Sequence, residues 1–316
     1  MGVNLLALAR FTLKGPYQAA AVVGFLAVLA AFVPPLLGQS FLGLLIATLC
    51  MLLSSTLVSL IILTQGSVSG FKAIAVSMLG ISAVSWGLIG NPWLGLWIGL
   101  VQWLPIILLS QTLRSTRSLA LMLLAGVALG AVAIAIQFLS FGEAEMEMLA
   151  EAFQRMGGAA EEARIPPEQA QQIVTVFVTG FVAMIYLLVV PIVFLARWMQ
   201  ASLAESNAFG EEFRHLALGR TPALVALVVA GLGFWLKQPW LASLVYLLVV
   251  AFMFQGMAIV HARLYGRHSA RLLLSVFYAV LLIAPMAVAL TAFTGVIDNW
   301  LVFRRQAAAA DTDNED

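Results

Sequence analysis

From residue 15 to residue 71 the chain carries not one charged side chain. A membrane span needs about 20 apolar residues at a rise of ~1.5 Å each, so this interval alone holds two spans, 17–37 and 41–64. The whole composition agrees: 62% of residues are hydrophobic, 10% are charged and the mean hydropathy is +1.02, whereas a soluble domain carries roughly a quarter charged residues. The chain therefore reads as an all-α polytopic integral membrane protein. Further apolar runs at 71–89, 93–110, 118–138, 173–195, 222–236, 240–260 and 272–296 bring the expected count to nine transmembrane helices, or eight if the brief seventh run fails to cross. Residues 1–15, with Arg10 and Lys14 among leucines, fit a short interfacial helix. No A-x-A cleavage site follows, so the first span reads as retained.

One long polar excursion, 142–172, interrupts these runs, with Glu at 143, 145, 147, 151, 161, 162 and 168 against only Arg155 and Arg164. It divides the chain into a membrane half at 1–141, the acidic segment 142–172, a second membrane half at 173–305, and a tail at 306–316 expected to be disordered. Met146, Leu149, Phe153 and Met156 recur at helical spacing and predict an amphipathic helix over 143–156. That helix either lies on the outer membrane surface, caps a pocket, or links and packs on its own bundle. Gly157 and Gly158 end it, and Pro166-Pro167 starts the next helix.

The acidic bias places 142–172 outside the cytoplasm by the positive-inside rule. With the N-terminus inside, eleven of the 16 Lys and Arg residues then face the cytoplasm. Arg155, Arg164, Lys237, Arg304 and Arg305 face outward, and of these only the last two argue against the arrangement.

Two sets of residues inside the spans bear on function. Trp86, Trp93 and Trp97 cluster around the Gly90-Asn91-Pro92 turn, either as an interfacial aromatic belt or as the wall of an outward-facing pocket. Asn91, Gln102 and Gln137 would be the polar anchors of such a pocket. The glycine pairs Gly66/Gly70, Gly95/Gly99 and Gly126/Gly130 are four apart, the spacing of close helix contacts, and Ser54, Ser55, Thr56 and Ser59 mark close packing or a solute path. The Gly126/Gly130 face could also serve a dimer.

Several function classes lose support. A net charge of +1 does not suit nucleic-acid binding, which needs a clustered excess of Lys and Arg. Cys50 is the single cysteine, so no internal disulfide and no cysteine metal site can form. His215, His261 and His268 lack metal-ligand spacing, and no cofactor motif is present. The interiors of the first five spans hold no Asp, Glu, His, Lys or Arg, which argues against an enzyme and against an ion-coupled pump.

Three phrases in the second half carry a resemblance: FGEEFRHLALGR before the seventh span, FQGMAIVHARL in the eighth and GVIDNWLVFRR after the ninth. Together they resemble the YybS-like family of bacterial membrane proteins. The residues that match are Gln255 and Gly256 in the middle phrase and Gly295, Asp298, Phe303 and Arg304 in the closing one; Val302 stands where a second acidic residue is expected. The resemblance implies a multi-pass protein of the bacterial inner membrane and no defined activity. Through the 65–70 turn it is distantly similar to substrate-binding subunits of vitamin uptake transporters and to a shape-determining membrane protein of the wall machinery.

Two functions remain. One is a transporter-like subunit that binds a small solute from the outer face and has no energy-coupling site of its own. The other is a non-catalytic scaffold for envelope or division proteins, recruiting them through the 197–220 loop. The closing element is expected to run as a surface helix with Trp300 and Phe303 in the interface and Asp298 and Arg304 facing water.

Overall fold

In lipid the backbone has no water to bond, so each apolar run must satisfy its own N–H and C=O groups, and a helix does so locally. The computed structural model describes residues 2–37, 40–140, 147–149, 151 and 166–301, and these contain no strand. The helices are α1 (Gly2–Thr12), α2 (Pro16–Leu36), α3 (Phe41–Gln65), α4 (Ser67–Ile89), α5 (Leu94–Thr116), α6 (Leu119–Ser140) and α7 (Pro167–Leu203). They continue with α8 (Ala208–Arg214), α9 (Arg220–Leu236), α10 (Pro239–Leu264), α11 (Ala270–Ile283) and α12 (Pro285–Leu301). Among the described residues seven helices, α2 to α7 and α10, are long and apolar enough to cross a membrane, and α9 is shorter. The chain is an all-α polytopic membrane protein.

The ninth run is not one straight span. Pro285 cannot donate to the preceding turn, and Ala284 before it is extended, at φ −113° and ψ 103°, as a residue preceding proline prefers. The axes of α11 and α12 consequently turn through 116°. At 1.5 Å per residue the 14 and 17 residues of the two helices, set at that angle, reach at most about 25 Å end to end, short of a ~30 Å hydrocarbon core.

Other boundaries differ for local reasons. Gly66 alone makes the turn between α3 and α4, at φ 94°, so α4 begins at Ser67 rather than near residue 71. Gly70 lies within that helix, where a Cβ would sit 2.7 Å from Ile62 Cγ1. In α5, residues Ile98–Trp103 widen into a π-helical turn, with the Leu104 N–H bonded to Gly99 O. Pro105 lacks the N–H that a regular ladder would use just beyond it. α7 has 37 residues, longer than the bilayer needs, because its first turns carry Glu168, Gln169, Gln171 and Gln172 exposed. Its start at Pro167 is the one that Pro166-Pro167 predicts, and its end at Leu203 lies beyond the apolar run 173–195.

The chain forms two compact units. The first comprises Met1–Ala125 and Leu188–Phe213, and the second comprises Gly126–Leu187 and the chain from Arg214 on. This division differs from a cut at residue 142, since α6 and α7 each contribute one part to each unit. Most of 143–156, the glycines after it and everything beyond residue 301 lie outside the described residues. Of the amphipathic stripe only Leu149 is described, packed against Val174 and Val178 of α7.

Candidate functional site

The first unit is stitched by hydroxyls. Ser54, Ser55, Thr56 and Ser59 of α3 are all buried. Ser54 Oγ donates to Val23 O of α2 at 3.0 Å, and Ser59 and Ser110 of α5 share a hydrogen bond of 2.7 Å. Gln102, in the π-helical turn, donates from Nε2 to Ser55 Oγ at 2.8 Å and to Met51 O at 3.3 Å. These bonds hold α2, α3 and α5 at close quarters.

At the end of α3 Ile62 O accepts the Gly66 N–H at 3.1 Å, and the carbonyls after it run out of helical N–H partners. Arg114 Nη1 donates to Ile62 O at 2.8 Å and to Leu63 O at 2.9 Å. Gln200 of α7 adds a third bond, Nε2 to Leu63 O at 3.0 Å. A cation at a helix C-terminus also opposes the negative end of the helix dipole. Behind these groups Arg197 donates from Nε to Glu212 Oε2 at 3.0 Å, from Nη2 to Glu212 Oε1, and from Nη1 to Gln200 Oε1 at 3.2 Å.

These side chains, with Thr64, Leu113 and Arg117, line a cavity of about 550 Å³. Its wall carries three arginines and one glutamate, and Arg197 holds that glutamate in a bidentate pair. The charge left over belongs to Arg114 and Arg117, both exposed. Arg117 ends α5 in the left-handed region at φ 53°, and its side chain makes no hydrogen bond or ion pair among the described residues. On Arg114 only Nη1 is engaged there.

The second unit centres on a buried polar knot. Gln255 of α10 is 0% exposed. Its Oε1 accepts from the Leu218 N–H at 2.9 Å, and its Nε2 lies 3.3 Å from Asp298 Oδ2 and 3.4 Å from Asn299 Oδ1. Asn299 Oδ1 also accepts from the Gly219 N–H at 3.0 Å, and Asn299 O accepts from Arg220 Nε at 3.1 Å. One amide and its neighbours therefore join α10, α12 and the start of α9. The contact between α10 and α12 is close because Gly256 and Gly295 face it: a Cβ on Gly256 would fall within 3.0 Å of Thr291 O, and one on Gly295 within 3.0 Å of Phe252 O. Asp298 is buried rather than turned to water, because α12 continues through it and packs it on α10.

The remaining sequence candidates are dispersed. Trp86, Trp93 and Trp97 are 69%, 65% and 64% exposed, which suits a belt in lipid better than a pocket wall. Asn91 uses Oδ1 to accept from the Trp93 N–H at 3.0 Å, holding its own turn. Gln137, in the second unit, donates to Val178 O at 2.8 Å. Gly95 and Gly99 lie against Met78 of α4, Gly130 against Leu247 of α10, and Gly126 is buried. Phe303 and Arg304 lie outside the described residues.

Sequence reasoning used Arg114, Arg117 and Arg197 only to orient the chain and passed over Glu212 and Asn299. Two arginines three apart at a span end, with an oppositely charged residue in the 197–220 loop, were the available signal. No family model, no curated protein and no solved structure matches this chain.

Proposed function

We propose that the protein is a non-catalytic, transporter-like membrane subunit that binds a small anionic ligand at the basic end of its first unit and borrows any energy from a partner protein. The observation that carries this reading is the cavity of about 550 Å³ bordered by Arg114 and Arg117, whose guanidinium donors are largely unused among the described residues. An outer-face pocket built on Trp97 and Gln102 draws less support, since Gln102 is bonded to α3 and the ring is exposed. A scaffold acting through the 197–220 loop also draws less. Phe209 and Phe213 of α8 pack on Phe194 with ring centroids 5.8 and 5.6 Å away, and Glu212 is paired with Arg197, so these groups are turned inward.

The test is the melting temperature of detergent-purified protein with citrate, acetate, inorganic phosphate and neutral sugars at low and high salt. A ligand at 100 times its Kd stabilises by about 2.7 kcal/mol. At least one anion is expected to raise the melting temperature, with the rise shrinking at high salt. Equal curves for anions and sugars would remove the reading.

The orientation that goes with it is an inner-membrane protein with a cytoplasmic N-terminus, which sets the ends of α3 and α5 on the cytoplasmic side. If α9 crosses and the bent α11–α12 pair enters and leaves on one face, the chain ends in the cytoplasm. Arg304 and Arg305, the two exceptions to the positive-inside count, then join the majority. A C-terminal alkaline phosphatase fusion is accordingly expected to be inactive and a green fluorescent fusion bright. The reverse pattern would show that the pair crosses or that α9 does not, and a fusion placed at the Lys237-Gln238-Pro239 turn separates the two.

A further inference from the structure

We infer that the anion taken by the basic cavity bears a phosphate group, and that Arg117 is the residue that reads it. This rests on the anion-binding reading above and narrows its ligand. Arg197 is engaged at every nitrogen: Glu212 and Gln200 take one bond each from its Nε, Nη1 and Nη2. It therefore neutralises the one carboxylate of the wall and fixes the floor. Gln200 is held between Arg197 and Leu63 O, so the floor is rigid before a ligand arrives.

Two guanidinium groups then face the same space with two uncompensated charges. Arg114 keeps Nε and Nη2 available while its Nη1 clamps the end of α3, and this clamp sets the group's position. Arg117 brings its full fork of donors. A carboxylate has two oxygens and is satisfied by one bidentate arginine. Two forks at one site suit an anion with three oxygens and a charge near −2, which describes a phosphate monoester; a phosphodiester headgroup shares the chemistry at lower charge. The location agrees, because Leu63, Thr64, Leu113 and Arg114 are the last turns of two membrane-spanning helices. Basic pockets between transmembrane helices at this depth meet lipid phosphates.

The test uses the full chain, wild type beside Arg117→Gln and Arg117→Lys. Arg114 is left intact because it also caps α3. Soluble probes are inorganic phosphate, glycerol phosphate and citrate, read by thermal shift. Lipid probes are nanodiscs of phosphatidylcholine with and without phosphatidic acid or phosphatidylglycerol, read by retained lipid in native mass spectrometry.

Phosphate-bearing probes are expected to bind more tightly than citrate, with Arg117→Gln weakening them about tenfold or more and Arg117→Lys falling between. Selective retention of phosphatidic acid or phosphatidylglycerol would assign the source to lipid, and equal binding of glycerol phosphate without lipid selectivity would assign it to a soluble ester. Citrate binding as tightly as phosphate, or an Arg117→Gln variant indistinguishable from wild type, would overturn the phosphate assignment and leave anion binding standing. Absence of any salt-sensitive anion binding would overturn both.

Discussion

Replacing Gly256 by valine is expected to remove most of the protein from the membrane fraction, and even alanine there should lower the melting temperature sharply. The reason is backbone on backbone. A Cβ at Gly256 would fall within 3.0 Å of Thr291 O, and a carbonyl oxygen in a helix cannot swing aside as a side-chain tip can. α10 and α12 must then separate, which strips the bonds from Gln255 to Asp298 and Asn299 as well. Overpacking of this kind costs about 1–3 kcal/mol, occasionally more, and here the backbone itself has to move. Gly295→Ala should act in the same way through Phe252 O, and the double alanine variant should cost less than the sum, because one substitution already parts the helices. Gly231→Ala in α9 is the control: nothing lies within 4 Å of its Cβ position, so abundance and melting temperature should equal or slightly exceed wild type. Equal behaviour of Gly256→Ala and Gly231→Ala would mean that the close crossing does not form.

Gln255→Leu is expected to be the most damaging polar-to-apolar change in the second unit, although it adds hydrophobicity to a membrane span. Leucine fills similar space but leaves the Leu218 N–H without the acceptor it has at 2.9 Å and removes the donor facing Asp298 and Asn299. Leaving a buried group unsatisfied costs about 1–3 kcal/mol, and here several groups lose a partner at once. Asn299→Leu strands the Gly219 N–H and should have a smaller effect. Because both residues serve one network, a double-mutant cycle on melting temperature should show coupling of about 0.5–3 kcal/mol. Additive effects would show that the two amides act separately. By contrast Gln102→Leu, which removes bonds from α5 to α3, should be milder, since Gln102 is only half-buried and Ser59–Ser110 still joins the same helices.

Much of the architecture was legible from the chain itself because hydropathy is a local property. Runs of uncharged apolar residues, interrupted by Gly90-Asn91-Pro92 or Lys237-Gln238-Pro239, place helix ends to within a few residues, and the end-positions of α3, α4, α9 and α10 show it. Pro285 was in plain view inside the 272–296 run, and a proline preceded by an extended residue is a strong local reason for a break. The run was nevertheless read as one span, because hydropathy averages over a single residue. The start of α7 was legible in Pro166-Pro167, but its end was not: the helix runs on past the apolar run through Arg197 to Leu203, and polarity does not distinguish a solvated helix from a loop.

What the sequence determined by itself is which segments become helices and which of these are long and apolar enough to cross a membrane. These depend on transfer of side chains from water and on backbone bonds closed within four residues. Only the tertiary structure decided which polar groups meet. Gln200 reaches Leu63 O across 137 positions, and Gln255 reaches Asp298 across 43. Nothing in local spacing distinguishes a side chain that meets a partner from one that does not: in one span Trp97 is exposed and Gln102 is bonded to α3. The partners are set by how helices cross, and the crossing is set by glycines and serines whose effect exists only when a second helix lies against them. Arg114 and Arg117 therefore read as markers of orientation in the sequence and become the wall of a cavity only once the ends of α3, α5 and α7 have packed together.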